Sequence, residues 1–474
     1  MEALHNLINQ GNDLIWGQLL IYILIGVGVF FTLRTGFMQL RLLPRGWQEM
    51  LGGRSHIGGE NDISSFQAFA TGLASRVGTG NVAGVATAIA LGGPGAVFWM
   101  WMTALLGMAS AFAESTLAQL FKVSHHDNTF RGGPAYYIQK GLGMRWLGIA
   151  FSLSLILAFG LVFNAVQANS IVAATEGAWG WNKNLVAIGL VLISAPIIFG
   201  GLRKVAQVAE WMVPLMAAIY LGMTLFVIFG HLAEIPGVIM LIVKSAFGLQ
   251  QAAGGFAGYA ISQSMMLGIK RGLFSNEAGM GSAPNAAAAA TTRHPASQGI
   301  VQMFGVFIDT IVVCSCTAFI VLLSGAYVPG AELKGVQLTQ AALSATLGGW
   351  GGHFLAVALF LFCFSSIIGN YAYAEGNVEF IKNNKLVMLG FRLLVLFMVA
   401  FGAIGSSPLV WDMADLSMGI MALINLFAIV MLSKYVFTLL KDYQQQLKAG
   451  NKQPVFDVKQ YPEIQAKIHP ESWK

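Results

Sequence analysis

Apolar residues run along this chain in stretches of about twenty, separated by short polar loops, which is the pattern of helices that cross a bilayer. Eleven stretches fit: residues 16–33, 64–91, 95–121, 146–173, 185–201, 207–230, 253–285, 299–325, 351–375, 386–405 and 412–437. The run 237–250 reads as an interfacial piece leading into the seventh. Two stretches are interrupted in the same way. RVGTGNVAGVATA at 76–88 and RGLFSNEAGMGSA at 271–283 match when offset by 195 residues, Arg76 with Arg271, Asn81 with Asn276, and Ala83-Gly84 with Ala278-Gly279. Paired interruptions at corresponding positions of two halves point to a binding site between repeats.

Charge placement orients the predicted spans. With the first beginning outside, the inner loops and C-terminal region hold twenty Lys and Arg, whereas the outer loops hold only Lys183, Lys244 and Lys334. That bias puts the N-terminus outside and the C-terminus in the cytoplasm. Five spans separate the matched segments, an odd number, so the second copy is inverted. The expected fold is all-α and polytopic, with about 11 transmembrane helices: one extra helix, then a 5+5 inverted repeat with discontinuous helices at 78–81 and 273–276. Its parts are 1–63 (extra helix and amphipathic cytoplasmic loop), 64–230 (first repeat), 231–440 (second repeat) and 441–474 (a basic tail, read as solvated or lying on the membrane surface).

Composition narrows the class. Hydrophobic residues make up 56% and charged residues 10%, against about 25% charge in soluble domains. The net charge of +6 sits in short loops and the tail, which argues against nucleic acid as a partner. Cys314, Cys316 and Cys363 lie in apolar runs and imply no disulfide framework. The first seventeen residues carry no Lys or Arg, so a signal peptide's basic start is missing and the first apolar run is expected to be kept.

The interruptions suggest chemistry. About 18 Å of helix before Gly78 and about 15 Å after Asn81 cross a core of about 30 Å, which puts Gly78-Thr79-Gly80-Asn81 near its midplane. Two close glycines disfavour continuous helix, and an unwound stretch frees backbone groups that only a ligand, water or neighbouring protein satisfies at that depth. The outer half-helix N-terminus suits an anion, and the freed carbonyls suit a small cation or an ammonium group. A zwitterionic amino acid needs both. Glycine packing through Gly80 and Gly84 competes with this reading, and GTGNVAG fails as a dinucleotide fingerprint because no strand precedes it. In the second copy the interruption falls on Leu273-Phe274-Ser275-Asn276, with Glu277 starting the inner half-helix and Pro284 ending or kinking it. Arg76 and Arg271 are costly at membrane depth and read as gate residues that pair with Glu114, Asp309, Glu277 or Glu375, or as fixed structural ion pairs. Asn164 and Gln167 share a helix face toward the cavity, while Asn169 faces a neighbouring helix. Ser365, Ser366 and Asn370 add oxygen ligands beside the break.

The segments FQAFATGLASRVGTGNVAGVATAI (66–89), RGGPAYYIQKGLG (131–143), RGLFSNEAGMGSAP (271–284), FIDTIVVC (307–314) and FSSIIGNYAYAE (364–375) resemble those of the alanine/glycine:cation symporters, across residues 15–440. The resemblance implies a leucine-transporter type of fold in the cell membrane, the inner membrane of a bacterium. It implies uptake of a small neutral amino acid (alanine, glycine or D-alanine) with Na⁺ as coupling ion and no organic cofactor. Thr79, Gly80, Phe274, Ser275 and Asn276, with Asn81, Gln167 and Asn370, are then the substrate-binding candidates. Carbonyls near Ser75–Gly78 with Ser365 and Ser366 would hold sodium. Many members carry an aromatic residue where this chain has Asn370, and the amide makes the pocket more polar, open to serine.

Rival readings fit less well. A channel would need a ring of repeated filter segments. His125-His126-Asp127 lacks the spacing of a metalloenzyme site, so no enzyme activity is expected. A proton-coupled carrier or a transporter-like sensor stays open. The expected partners are the amino acid, Na⁺ and lipid, with no obligate protein partner.

Overall fold

The computed structural model describes residues 2–55, 62–125, 129–248, 257–405 and 407–473. Its helices are α1 (His5–Arg34), α2 (Ser65–Arg76), α3 (Val85–Gly92), α4 (Gly95–Leu120), α5 (Arg145–Trp179), α6 (Lys183–Phe199), α7 (Gly201–Gly230), α8 (Ile235–Ala246), α9 (Ala257–Asn276), α10 (Pro284–Ala289), α11 (Pro295–Leu323), α12 (Gly335–Leu347), α13 (Trp350–Ile381), α14 (Lys385–Ile404), α15 (Ser407–Met431) and α16 (Ser433–Lys448), beside shorter turns. The described β-structure is one isolated bridge and a two-residue ladder that pairs Val123 with Arg131 and Ser124 with Phe130. Eight of the described helices are long and apolar enough to cross a membrane. The protein is therefore an all-α, multi-pass membrane protein.

Burial grades the bundle from centre to lipid. In α4 and α13 67% of the most apolar window is buried, in α7 and α14 33%. The outer faces of α7 and α14 carry Trp211, Phe226, Leu393 and Phe397, as lipid contact requires. Close approach is set by glycine where backbones touch: a methyl at Gly402 would lie 2.3 Å from Ala165 Cα and Cβ-free contact is the only fit there. Asn169 locks the same pair, donating to the carbonyls of Gly402 (3.1 Å) and Gly405 (3.2 Å).

Both interrupted stretches break; the first break overlaps the expected 78–81, and the second lies beyond the expected 273–276. In the first, α2 starts on a capping box formed by Ser64 and Gln67 and ends at Arg76. Val77 and Gly78 leave the helix, and a wide turn at Gly80–Gly84 leads into α3. In the second, 273–276 are the last helical turn of α9, and the break is 277–283. Glu277, Gly279 and Gly281 all take positive φ (59°, 85°, 84°), which ends a helix in the left-handed manner. Pro284 begins α10 rather than ending it, because proline at a first turn has no N–H to lose. Glu277 thus follows the first half-helix, α9, and does not start the second, α10.

Other differences are local. The segment 335–347, read as an outer loop, is helix α12 packed along α13. Residues 253–256 of the seventh stretch, and His126 and Asp127, lie outside the described residues. The tail does not float. Phe456, Val458, Ile464, Ile468 and Trp473 are buried. Trp473 Nε1 donates to the Gln119 carbonyl (3.2 Å), Ser472 Oγ to that of Lys122 (2.7 Å), and Phe456 N–H to that of Arg293 (2.9 Å). Buried apolar residues spaced through a basic segment carried this signal, and reading its charge alone hid it.

His294 anchors the tail to the bundle. Its Nδ1 accepts the Ala296 N–H (3.0 Å), so its Nε2 carries the proton given to Asp442 (2.9 Å), and its ring meets Tyr443 and Phe456. Burial outweighs the pull of Asp442 and holds this imidazole below its ordinary value. The released state therefore binds protons more readily, and the anchor's stability falls as pH drops below about 6.5. Hydrogen exchange across 455–468, corrected for intrinsic rates, is expected to quicken between about pH 7.5 and 5.5, and His294→Gln to flatten that dependence.

Candidate functional site

The site forms where the first break meets the turn that ends α9. A side chain at Gly80 would touch Phe274 Cδ1 (3.0 Å) and Ser275 Cα (3.1 Å), so glycine permits the approach. The two N–H groups freed at the break are held by side chains. Asn81 Oδ1 accepts from Gly78 (2.9 Å), and Gln167 Oε1 accepts from both the N–H and the hydroxyl of Thr79 (2.9 Å each). Because Thr79 N–H can only donate, Gln167 must present its carbonyl there, which fixes its NH₂ in the opposite direction.

Freed carbonyls gather on the other side of the break. Ser366 Oγ lies 3.0 Å from the Ala74 carbonyl and 3.4 Å from that of Val77, and Ser365 Oγ lies 3.2 Å from Ala74. Two carbonyls and two hydroxyls make a set of hard oxygens that fits an alkali cation. Ala74 and Val77 belong to this set; sequence reasoning had named their neighbours. The Ser75 hydroxyl points elsewhere, and Gly78 is there for space: a Cβ would stand 2.3 Å from Ser366 Oγ.

Asn370 joins a chain of polar groups whose direction is determined. Asn164 Nδ2 donates to the Gly160 carbonyl (3.0 Å), so its Oδ1 accepts from Asn370 Nδ2 (3.1 Å). Asn370 Oδ1 then accepts from Ser75 Oγ (2.7 Å). Glu277 Oε1 also lies 2.8 Å from Ser75 Oγ, and its Oε2 accepts from Ser282 (2.6 Å). One hydroxyl has one proton. With Ser75 committed to Asn370, the short contact to Glu277 is satisfied when Glu277 is the donor.

Asp309 lies deeper, fully buried. It accepts from Asn81 (2.6 Å), Ser275 (2.9 Å) and Thr310 (2.8 Å). Asn276 turns away from this cluster and caps the Ala278 N–H (3.0 Å). Phe274 stacks between Phe163 (4.7 Å) and Trp411 (5.0 Å), an aromatic layer over the break.

The ion pairs differ from those expected. Arg271 pairs with Asp415 (2.7 Å), which also holds Lys270 (2.8 Å); Glu375 pairs with Arg392 (3.2 Å). Asp415 was missed because its carboxylate comes from a helix far away in sequence. Arg76 forms no ion pair among the described residues; its Nη1 meets the Gln302 carbonyl (3.3 Å). Glu114 is a staple for the second break. It accepts the N–H groups of Gly279 (3.2 Å) and Gly281 (3.1 Å) and the amide of Asn425 (2.7 Å).

Residues 1–458 match the sodium:alanine symporter family. An uncharacterized transporter of Haemophilus influenzae is 59% identical over 94% of this chain and 92% of its own length. An amino-acid carrier protein of Bacillus subtilis is 52% identical over 100% and 99%. A probable sodium/glutamine symporter of the same organism is 51% identical over 96% and 94%.

Removing the staple tests its role. Glu114→Ala leaves three buried donors unmet, at about 1–3 kcal/mol each, whereas Glu114→Gln keeps an acceptor. Thermal unfolding of the purified protein is expected to show a much larger fall in Tm for the alanine variant.

Proposed function

Because the chain belongs to the sodium:alanine symporter family, we propose that it is a sodium-coupled carrier of small neutral amino acids. The architecture we assign is one extra helix and a 5+5 inverted repeat, with the N-terminus outside and alternating access around the two breaks. The observation that carries this reading is the divided polarity of the first break. The NH₂ of Gln167, turned away from Thr79, offers donors to a carboxylate. The Ala74 and Val77 carbonyls with Ser365 and Ser366 offer oxygens to Na⁺. Both ligands settle the same unwound backbone, so each favours the other. Alanine and glycine are the substrates assigned from the family, with serine as a further small candidate and glutamine from the name of one relative.

A second reading rests on Glu277. Its role as donor to Ser75 supports a proton as coupling ion, bound at the second break when the halves are packed as here.

Uptake of labelled alanine into proteoliposomes separates these. Accumulation is expected with an inward Na⁺ gradient and not with K⁺. Accumulation driven by a pH gradient without Na⁺ replaces sodium with the proton, and no uptake of alanine, serine or glutamine under either gradient sinks the carrier reading. Gln167→Ala is expected to weaken alanine binding by about tenfold or more, the loss of one hydrogen bond to a charged group, and Ser366→Ala to raise the Na⁺ concentration needed for half-maximal uptake.

A further inference from the structure

Where α1 ends, a crevice of 390 Å³ opens between it and the start of α16. Arg34, Lys434 and Lys441 line it, with the rings of Phe30 and Phe437 and the hydroxyl of Ser433. Among the described residues no acid lines it. An aromatic floor joins the two helices. Phe437 packs against Phe30 (6.0 Å) and Phe31 (5.9 Å), and the Arg34 guanidinium lies 5.2 Å over the Phe437 ring. A guanidinium stacked on a ring keeps its edge donors for an anion. Lys434 pairs with Glu463 (2.9 Å), but both are largely exposed, where such a pair is weak. Arg34 and Lys441 form no ion pair among the described residues. Ser433 is the first residue of α16, so the positive end of a helix of 16 residues adds to the charge. An anion between these groups relieves their mutual repulsion.

The place of the crevice decides which anion fits. Arg34 is the last residue of α1, a helix long and apolar enough to cross the membrane, so the cations stand at headgroup level. Leu33 and Met431, one and two residues from the lining, are exposed apolar side chains. A soluble phosphate would leave them and the rings uncovered, whereas a phospholipid brings a phosphate and an acyl chain together. We propose that this crevice binds one anionic phospholipid, its phosphate between Arg34, Lys434 and Lys441 and its acyl chain along Phe30 and Leu33. Basic pockets at the ends of spanning helices take such headgroups. The inference needs only that the chain spans a membrane and is independent of what it carries. The lipid fastens α1 to α16, the helix that leads into the buried tail.

Native mass spectrometry of the full-length protein, titrated with phosphatidylglycerol, phosphatidylcholine or glycerol 3-phosphate, tests this. Wild type is expected to retain one phosphatidylglycerol at concentrations where phosphatidylcholine does not bind. Each cation is worth about fivefold in affinity, so Lys441→Gln should raise the Kd about fivefold and Arg34→Gln with Lys441→Gln about twenty-fivefold. Arg34→Lys, which keeps the charge, should stay within a few-fold of wild type. Lys382→Gln with Lys385→Gln removes two exposed cations from the loop between α13 and α14 and should change nothing. The proposal is overturned if phosphatidylcholine binds as well, if the Arg34/Lys441 double variant keeps wild-type affinity, or if the Lys382/Lys385 pair loses as much, which would mark diffuse surface charge. Displacement of the lipid by an equal concentration of glycerol 3-phosphate would also overturn it, in favour of a soluble anion.

Discussion

Backbone polarity at depth is the constraint on which this structure depends. A helix that crosses lipid satisfies its own N–H and C=O groups, and a helix that stops midway leaves them bare where no water reaches. Two stretches here stop midway, and much of the buried polar chemistry serves them. Gln167 and Asn81 hold the N–H groups of the first break, and Ser365 and Ser366 hold its carbonyls. Glu114, Asn276 and Asn425 do the same for the second. Gln167, Glu114, Asn425 and the Ser365–Ser366 pair come from four different helices, so bundle packing and the shape of the site are one problem.

The two breaks are unequal in strain. Glycines carry the first: a side chain at Gly78 would collide with Ser366, and one at Gly80 would crowd Phe274 and Ser275. The second puts Glu277 itself at φ 59°, a conformation that costs a side-chain-bearing residue about 1 kcal/mol or more. Such strain persists only where surroundings impose it, and the contacts to Ser75 and Ser282 do so. The expense sits on a titratable group that bridges both breaks, where a change of proton or cation would be felt most.

Much of this was legible in the sequence. Lengths of apolar runs predicted an all-α, multi-pass protein, of which eight described helices are long and apolar enough to cross a membrane, and the repeated motif located both breaks to within a few residues. What the motif could not give was the exact turn, since positive φ at Glu277 has no marker in residue type, and Pro284 reads equally well as an end or a start. The helix 335–347 was missed because its polar positions, Gln337, Thr339 and Gln340, resemble a loop when its packing against α13 is unseen. Ion pairs were the least legible part. Asp415 reaches Arg271 from 144 residues away, and no local spacing encodes that meeting. Nor did spacing show that Glu114 would bind backbone in place of arginine.

Gln167 lies between Ala165, pressed against Gly402, and Asn169, bonded to the carbonyls of Gly402 and Gly405. The amide at the break is thereby indexed to α14, whose outward face bears Leu386, Leu389, Leu393 and Phe397 against the acyl chains. A bilayer thicker or thinner than that face tilts it, and the tilt has one rigid step to travel before it reaches Thr79.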